Sequence, residues 1–288
     1  MQICRDTESM IALSTDWRAA GTPSVLVATM GALHDGHRAL VARARDWADS
    51  RGGRVVASVF VNPTQFGDAK DHDKYPRTEE ADLALLRAAG ADAVFLPQAS
   101  DIYLPDAQTV VDVTGLSRVL MGKLRPGHFR GVATVVTKLF NITGCDAATF
   151  GEKDYQQLTL VRQMVRDLNM RVQILPVPTV READGLAMSS RNQRLTPADR
   201  AAAPVLARAL DRAEAMVTEG RTVEAVRHEI KQVLASEPRA DVQSIDIRDA
   251  SQLSALRGRP TQSVVILLAA RFGDVLLIDQ RVALPSAD

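Results

Sequence analysis

Two of the chain's five histidines, His34 and His37, stand three residues apart in the stretch ATMGALHDGH, residues 28–37. The apolar run SVLV comes shortly before them, and Gly31 and Gly36 precede and separate them. In an open parallel sheet, ligands bind beyond the carboxyl ends of the strands, and this stretch should lie at such an end. Gly31 lets the backbone turn sharply and approach a ligand closely. The helix start that follows offers free N–H groups and a partial positive charge, which suit phosphate. If the segment is already helical, His34 and His37 share one face, and both imidazoles can donate to phosphate oxygens. A zinc pair is one alternative at this spacing, although no Cys or Glu partner is evident nearby. A capping histidine beside a solvated one is the other, common for single histidines and less expected for two flanked by glycines. The chain has neither GxGxxG nor GxxxxGKS/T. A phosphate loop built instead on an HxGH element points to nucleotidyl transfer.

Other groups fit the same chemistry. Lys153, in FGEKDYQQL after the strand-like DAATF, is a cation at a helix start, with a solvated surface lysine as the bland reading. Asp154 either caps that helix or binds a nucleotide hydroxyl. Ser189, Ser190 and Arg191 in AMSSRN form an ordinary turn or a loop that swings onto a triphosphate. Gln65 and Gln157 are neutral amides expected to face the same cleft, while Gln156 reads as a surface glutamine. Arg125, His128 and Arg130 in RPGHFRGV make a basic loop, solvated or close to the site. Asp82, in EEADLALL, reads as a helix-surface carboxylate. No Cys/His or Ser/His/Asp set marks a covalent nucleophile. Cys4 and Cys145 lie in no CxxC pattern and read as two reduced thiols, with neither zinc site nor disulfide expected.

The elements that must position these groups follow from hydrophobic pattern. SVLVAT, RVVASVFV, DAVFLP, DAATF and RVQILPVP read as strands, apolar throughout. HRALVARARDWADS, EEADLALLRAAG (closed by Gly90), GVATVVTKLFNIT and DYQQLTLVRQMVRDL read as the helices between them. Buried strands alternating with helices predict a parallel sheet covered on both faces, a Rossmann-like doubly wound α/β fold. The texture changes near residue 180. TPADRAAAPVLARALDRAEAMVTEG reads as one helix with Thr196 as N-cap and Pro197 in its first turn. TVEAVRHEIKQVLASE is a second helix. VQSIDIRDA, SVVILLAARF and DVLLIDQ are strands, the last two joined by the turn FGD. The expected domains are 1–179, Rossmann-like, and 180–288, a smaller α+β lid domain. Lys+Arg and Asp+Glu both number 35, which argues against a general nucleic-acid or membrane-surface binder. The N-terminus has no apolar core of the signal-peptide kind. VVILLAA, residues 264–270, is the longest apolar run and too short to span a bilayer. A cytoplasmic protein is expected.

Six stretches carry a closer resemblance. TMGALHDGH, VFVNPTQFG, DKYPRT, RPGHFRGVATVV, FGEKDYQQL and DGLAMSSRN, in this order and spacing, resemble the pantothenate synthetases (pantoate–β-alanine ligases) of the HxGH nucleotidylyltransferase superfamily. The resemblance covers most of residues 25–195. It implies condensation of pantoate with β-alanine through a pantoyl adenylate, at the expense of ATP. It assigns ATP contacts to Met30, Gly31, Ala32, Leu33, His34, Asp35, Gly36 and His37, to Gly151, Glu152, Lys153 and Asp154, and to Val180, Met188, Ser189, Ser190 and Arg191. It places pantoate on Gln65 and Gln157, β-alanine also on Gln65, and Mg²⁺ near Asp82. It names His34, His37 and Lys153 as catalytic, with His37 as proton donor, and it implies a homodimer. Two departures stand out. Ala28 replaces the usual proline, a loss that could loosen the turn before Met30, and Gln280 replaces the usual asparagine in a C-terminal contact. The rivals are another HxGH transferase that stops at nucleotide transfer, a class I tRNA synthetase, disfavoured by the short chain without a basic anticodon-binding region, and a non-catalytic nucleotide-binding regulator.

Overall fold

The computed structural model describes residues 1–67, 73 and 75–286. Lys74, in the DKYPRT stretch, and residues 287–288 of the expected second domain lie outside the described residues. The chain divides into two compact units, Met1–Gly151 with Leu160–Pro178, and Glu152–Thr159 with Thr179–Asp288.

The first unit is built on six parallel strands: β1 (Gln2–Cys4), β2 (Ser24–Thr29), β3 (Arg54–Val59), β4 (Ala93–Phe95), β5 (Ala147–Gly151) and β6 (Gln173–Val177). Their order is β1-β4-β3-β2-β5-β6. The sequence β2, β3, β4 runs outward in one direction and β5, β6 in the other. The topological switch point therefore falls between β2 and β5, where Val27 pairs with Thr149. Ligands of such sheets sit outside the carboxyl ends at that point. HxGH follows β2, and Gly151, the first residue of the GEKD segment, ends β5. Connectivity alone therefore brings the start of both motifs to the same place along the sheet.

Helix α1 spans Thr7–Ala19, α2 Asp35–Asp49, α3 Glu79–Ala88 and α4 His128–Thr143. Side chains alternate between the faces of a strand. Val25 and Val27 of β2 and Val55 and Ala57 of β3 join Val41, Ala44, Trp47 and Ala48 of α2 in one core cluster. Leu26 and Ala28 are left to the other face, where α4 packs on β2 and α1 on α4. Helix α4 is buried nearly all round, which explains why so many β-branched residues are tolerated in a helix: burial outweighs their weak propensity. Trp47 satisfies its indole by donating to Gln173 Oε1 at 2.9 Å. Gly90 ends α3 in the left-handed region, φ +90°, as expected. Strand β1 and helix α1 carry no clear sequence signal, because Met10 is the only fully buried residue of α1. The helix begins instead by a cap, Asp6 Oδ1 accepting from the Ser9 N–H at 2.7 Å.

The second unit holds α6 (Pro197–Ala202), α7 (Val205–Thr218), α8 (Val223–Ala235) and an antiparallel sheet β7 (Asp241–Asp249), β8 (Val264–Phe272) and β9 (Val275–Ala283), in that order. Helix α5 (Tyr155–Asp167) lies between the two sets in the chain, its residues divided between the units. Thr196 caps α6 through the Asp199 N–H, as expected. The single helix expected from residue 197 is corrected to two. Pro204 breaks it, because proline has no N–H to give to the preceding turn; its carbonyl instead starts α7 by accepting from Arg208 N. Leu206, Leu210, Val226 and Ile230 pack against Val264, Ile266, Leu268 and Phe272. Gly273 opens the β8–β9 hairpin with φ +55°, as a first turn residue of the II′ kind requires.

Both cysteines are buried and unbridged. Burial pushes the Cys145 thiol up to about 12 and raises that of Cys4. At pH 8 neither should be a thiolate. The native protein is expected to leave both unmodified by a chromogenic disulfide reagent and to react at two after unfolding in urea; prompt reaction of the native protein would contradict this burial.

Candidate active site

Strand β2 leads straight into the histidine loop. The strand runs through Ala28 to Thr29, and Thr29 Oγ1 donates to the Ser58 carbonyl at 2.7 Å and accepts from the Gly31 N–H at 3.4 Å. Gly31 and Ala32 are then both left-handed, at φ +84° and +50°. For Ala32 that conformation costs roughly 1–2 kcal/mol. It is held by a carboxylate from elsewhere in the chain. Asp82 Oδ2 accepts from Ala32 N at 3.1 Å and Oδ1 from Leu33 N at 2.8 Å, while Thr78 Oγ1 donates to Oδ1 at 3.1 Å. Asp82 is 3% exposed, which corrects the helix-surface reading. It lies on the face of α3 turned to the loop.

The histidines form a reciprocal cap on α2. His34 is the N-cap, and its Nδ1 accepts from the Gly36 N–H at 3.1 Å; His37 Nδ1 accepts from the His34 N–H at 3.2 Å. His37 N donates to the His34 carbonyl at 2.8 Å. The helix start is therefore less open than expected: the N–H groups of Gly36 and His37 already have partners within the loop. What the cap provides instead is tautomer control. A neutral imidazole that accepts at Nδ1 carries its proton on Nε2, so each ring becomes an Nε2–H donor. The rings lie 4.2 Å apart between centroids, close enough to address one ligand group. Asp35 is exposed, and its carboxylate lies 3.5 Å from Arg38.

Gln65 ends a 3-10 turn, Pro63–Gln65, and is only 8% exposed. Asn62 Nδ2 donates to Gln65 Oε1 at 2.9 Å. That bond orients the amide, so Gln65 presents its NH₂, which contacts Met30 Sδ at 2.9 Å. The Asn62 carbonyl Oδ1 accepts from Tyr103 OH at 2.8 Å and Thr64 Oγ1 at 2.9 Å. Arg125 Nη2 approaches the Gln65 main-chain carbonyl at 3.4 Å, and His128 Nδ1 lies 2.8 Å from it. Arg125 and His128 thus grip the turn that carries Gln65, while Arg130 is exposed. Asn62 and Tyr103 were not singled out from sequence; the only cue was an asparagine before proline, a turn signal.

Gly151 ends β5 in the first unit, and the remaining predicted residues belong to the second unit. Lys153 and Asp154 lie in a 3-10 turn, Glu152–Asp154, with Nζ 3.7 Å from Asp154 Oδ2. The Lys153 side chain is 19% exposed, far from the solvated lysine of the bland reading. Gln157 is half-buried on α5, and Gln156 is buried, which corrects its assignment as a surface glutamine. Val180 to Met188 form a small hairpin: Met188 N donates to the Val180 carbonyl at 2.9 Å, and Gly185 turns it at φ +88°. Ser189 Oγ then accepts from Arg191 N at 3.3 Å and starts the turn Ser190–Arg194, with Ser190 buried. This turn and the Lys153 turn both pack on β9. Arg181 fastens the hairpin to β9 through a two-pronged pair with Asp279, at 2.7 and 2.9 Å. Gln280 on β9 donates to Thr179 Oγ1 at 3.1 Å, so its amide serves the start of the hairpin.

Among the described residues, no three His, Cys, Asp or Glu side chains gather as a metal site. Asp82 already accepts three hydrogen bonds, a donor set that fits a loop anchor and does not fit a direct metal ligand.

A family model described as pantoate-beta-alanine ligase matches residues 2–282. The chain belongs to the pantoate–β-alanine ligase family. Its relatives in that family include the pantothenate synthetase of Bartonella henselae, 49% identical over 92% of this chain and 93% of the relative. That of Herpetosiphon aurantiacus is 47% identical over 98% of this chain and all of the relative. Pantothenate synthetase from Thermus thermophilus has the same fold, with TM-score 0.89 and 41% identity over 98% of this chain and 99% of that one. The ligase from Francisella tularensis, solved with Beta-gamma ATP and beta-alanine, aligns with TM-score 0.79 and 32% identity over 98% and 97% of the two chains. The chain is thus a ligase with a Rossmann-like α/β unit, and no described helix is long and apolar enough to cross a membrane.

The Gln65 turn generates a stability prediction. A Cβ on Gly131 of α4 would collide with the Thr64 carbonyl oxygen. Helix propensity alone favours alanine over glycine by about 1 kcal/mol. Gly131→Ala is nevertheless expected to lower the urea midpoint, because backbone meets backbone; a raised midpoint would show that the turn yields freely.

Proposed function

We propose that the chain joins (R)-pantoate to β-alanine in two half-reactions. The pantoate carboxylate attacks the α-phosphorus of ATP, forming pantoyl adenylate and releasing pyrophosphate. The β-alanine amine then attacks the carbonyl of that mixed anhydride, forming the amide of pantothenate and releasing AMP. The observation that carries this reading is the pair of Nε2–H donors at the β2–β5 switch point in a chain of this family. The Francisella relative's complex supports ATP and β-alanine as substrates.

Neither half-reaction requires a protein nucleophile, so the residues work by positioning and charge stabilisation. His34, His37 and Lys153 stabilise charge on the α-phosphate and the leaving pyrophosphate, His37 being the proton donor. Met30–His37, Gly151–Asp154, Val180 and Met188–Arg191 hold ATP. Gln65 and Gln157 hold pantoate, and Gln65 also meets β-alanine. Neutral amides suit pantoate for an electrostatic reason. An arginine pair would quieten the carboxylate that must attack, whereas an amide NH₂ orients it at lower electrostatic cost. The reading also has Mg²⁺ arriving with ATP, bound by phosphate oxygens and water with few protein ligands, a homodimer, and a cytoplasmic setting. Its functional division follows residues 1–179 and 180–288.

The direct test incubates the protein with ATP, Mg²⁺ and pantoate and follows pyrophosphate and AMP with and without β-alanine. Enzyme-bound adenylate and pyrophosphate first, with AMP and pantothenate only after β-alanine is added, is the expected result. ATP binding without turnover on pantoate would favour the regulator instead. Gln157→Glu should weaken pantoate far more than ATP, read as KM for each; equal loss would sink the amide argument. His37→Ala should lower the rate of pyrophosphate release by about 10²-fold or more, with ATP still bound.

A further inference from the structure

Asp82 is buried, lies about fifty residues beyond the histidine loop in the chain, and accepts three hydrogen bonds, two from backbone N–H groups of that loop and one from the Thr78 hydroxyl. Two of these bonds come from successive N–H groups, Ala32 and Leu33, at the end of a pair of left-handed residues. Successive N–H groups in such a turn form a concavity that binds an anion. In many proteins that anion is a ligand phosphate; in this loop it is a side chain of the protein itself. Leu33 is followed at once by His34, whose main-chain N–H meets His37 Nδ1 and whose ring meets Gly36 N. The chain of contacts therefore runs from the Asp82 carboxylate through two amides to both imidazoles. The fit is close: a Cβ on Gly31 would come within 3.0 Å of Asp82 Oδ2. Thr78, the N-cap residue of α3, uses its hydroxyl to steady this carboxylate rather than to cap its own helix.

We propose that Asp82 is the positioning residue of the histidine pair: its carboxylate fills the backbone nest of Ala32 and Leu33 as a fixed internal anion, holds the strained turn, and so keeps both imidazoles in the Nδ1-accepting, Nε2–H-donating state. This rests on the adenylation reading for its catalytic consequence, but not for the clamp itself. Asp82→Asn keeps the shape and turns one acceptor into a donor facing a backbone N–H, so one clamp bond is lost.

The test has two arms. In the first, pyrophosphate release from ATP and pantoate is measured for Asp82→Asn, for the double variant His34→Ala/His37→Ala and for the triple variant that combines them. A displaced loop is expected to lower kcat about 100-fold, the scale of a 1 Å misplacement. Because Asp82 acts through the two histidines, the triple variant should be no slower than the histidine double variant alone. Multiplicative losses, or recovery of Asp82→Asn at raised Mg²⁺, would overturn the proposal, the second in favour of a metal ligand. The other arm needs no turnover. Amide exchange should show Ala32 and Leu33 both protected in the parent protein and at least one of them unprotected in Asp82→Asn, and the ¹⁵N signals of His34 and His37 should leave the single-tautomer pattern. Unchanged amides and rings would overturn the clamp even in a protein that forms adenylate. Altered amides in a protein that forms none would uphold the clamp and count against the adenylation reading. If Asp82→Asn does not fold, Thr78→Val loosens the carboxylate more gently. It should shift the same amides and lower kcat to a smaller degree, and no shift would again overturn the clamp.

Discussion

Parallel pairing of β2 with both β3 and β5 is the constraint on which the rest of the first unit depends. Parallel strands cannot be joined by a tight hairpin, so each connection leaves from the carboxyl edge and returns by a crossover. With strand order reversing at β2–β5, two carboxyl ends lie side by side while their connections diverge. A crevice there is a consequence of topology, before any side chain is chosen. The chain places its histidine loop at one of these ends and begins its GEKD segment at the other. Strand ends more than a hundred positions apart are thus drawn together by backbone hydrogen bonds alone.

Within that frame, the local chemistry works by engaging one polar atom of a side chain internally so that the donor or acceptor role of the other is fixed. Each histidine engages Nδ1 with a main-chain N–H of its own loop, leaving Nε2–H as the donor. Gln65 follows the same logic: its carbonyl oxygen is taken by Asn62, so the amide presents NH₂. Buried polar groups of this kind are costly when unpaired and rigid when paired. Arg125 and His128, basic residues by sequence, are directed to a carbonyl oxygen and shape the turn beneath Gln65. The second unit repeats the device with a stronger contact: the Arg181–Asp279 pair, with Asp279 almost wholly enclosed, holds the hairpin that carries Met188 and Ser189.

Much of this was legible in the chain. SVLVAT, DAATF and the buried helix after RPGH were readable because strands covered on both faces are apolar throughout and their helices repeat at 3.6 residues. Thr196 and Gly90 marked helix ends because capping depends on a few neighbouring residues. The helix broken at Pro204 was read as continuous because apolar periodicity persists across the break, although the missing N–H is itself visible in the sequence. Strand β1 and helix α1 escaped because an edge strand of three residues and a helix with one buried side chain leave little pattern.

By itself, then, the sequence determined the fold class, the family and the chemical kinds of group at the site, since these follow from local pattern and from motifs a few residues long. Tertiary structure alone decided what those groups do to one another. Asp82 read as a surface carboxylate and Gln156 as a surface amide because nothing within a helical turn of either reveals what packs over it. Only the folded chain shows that Asp82 faces two amides about fifty residues away, that Asn62 sets the Gln65 amide, and that both imidazoles share one tautomer. Hydrogen bonds between distant segments depend on angles and ångströms, and those are properties of the packed backbone rather than of residue order.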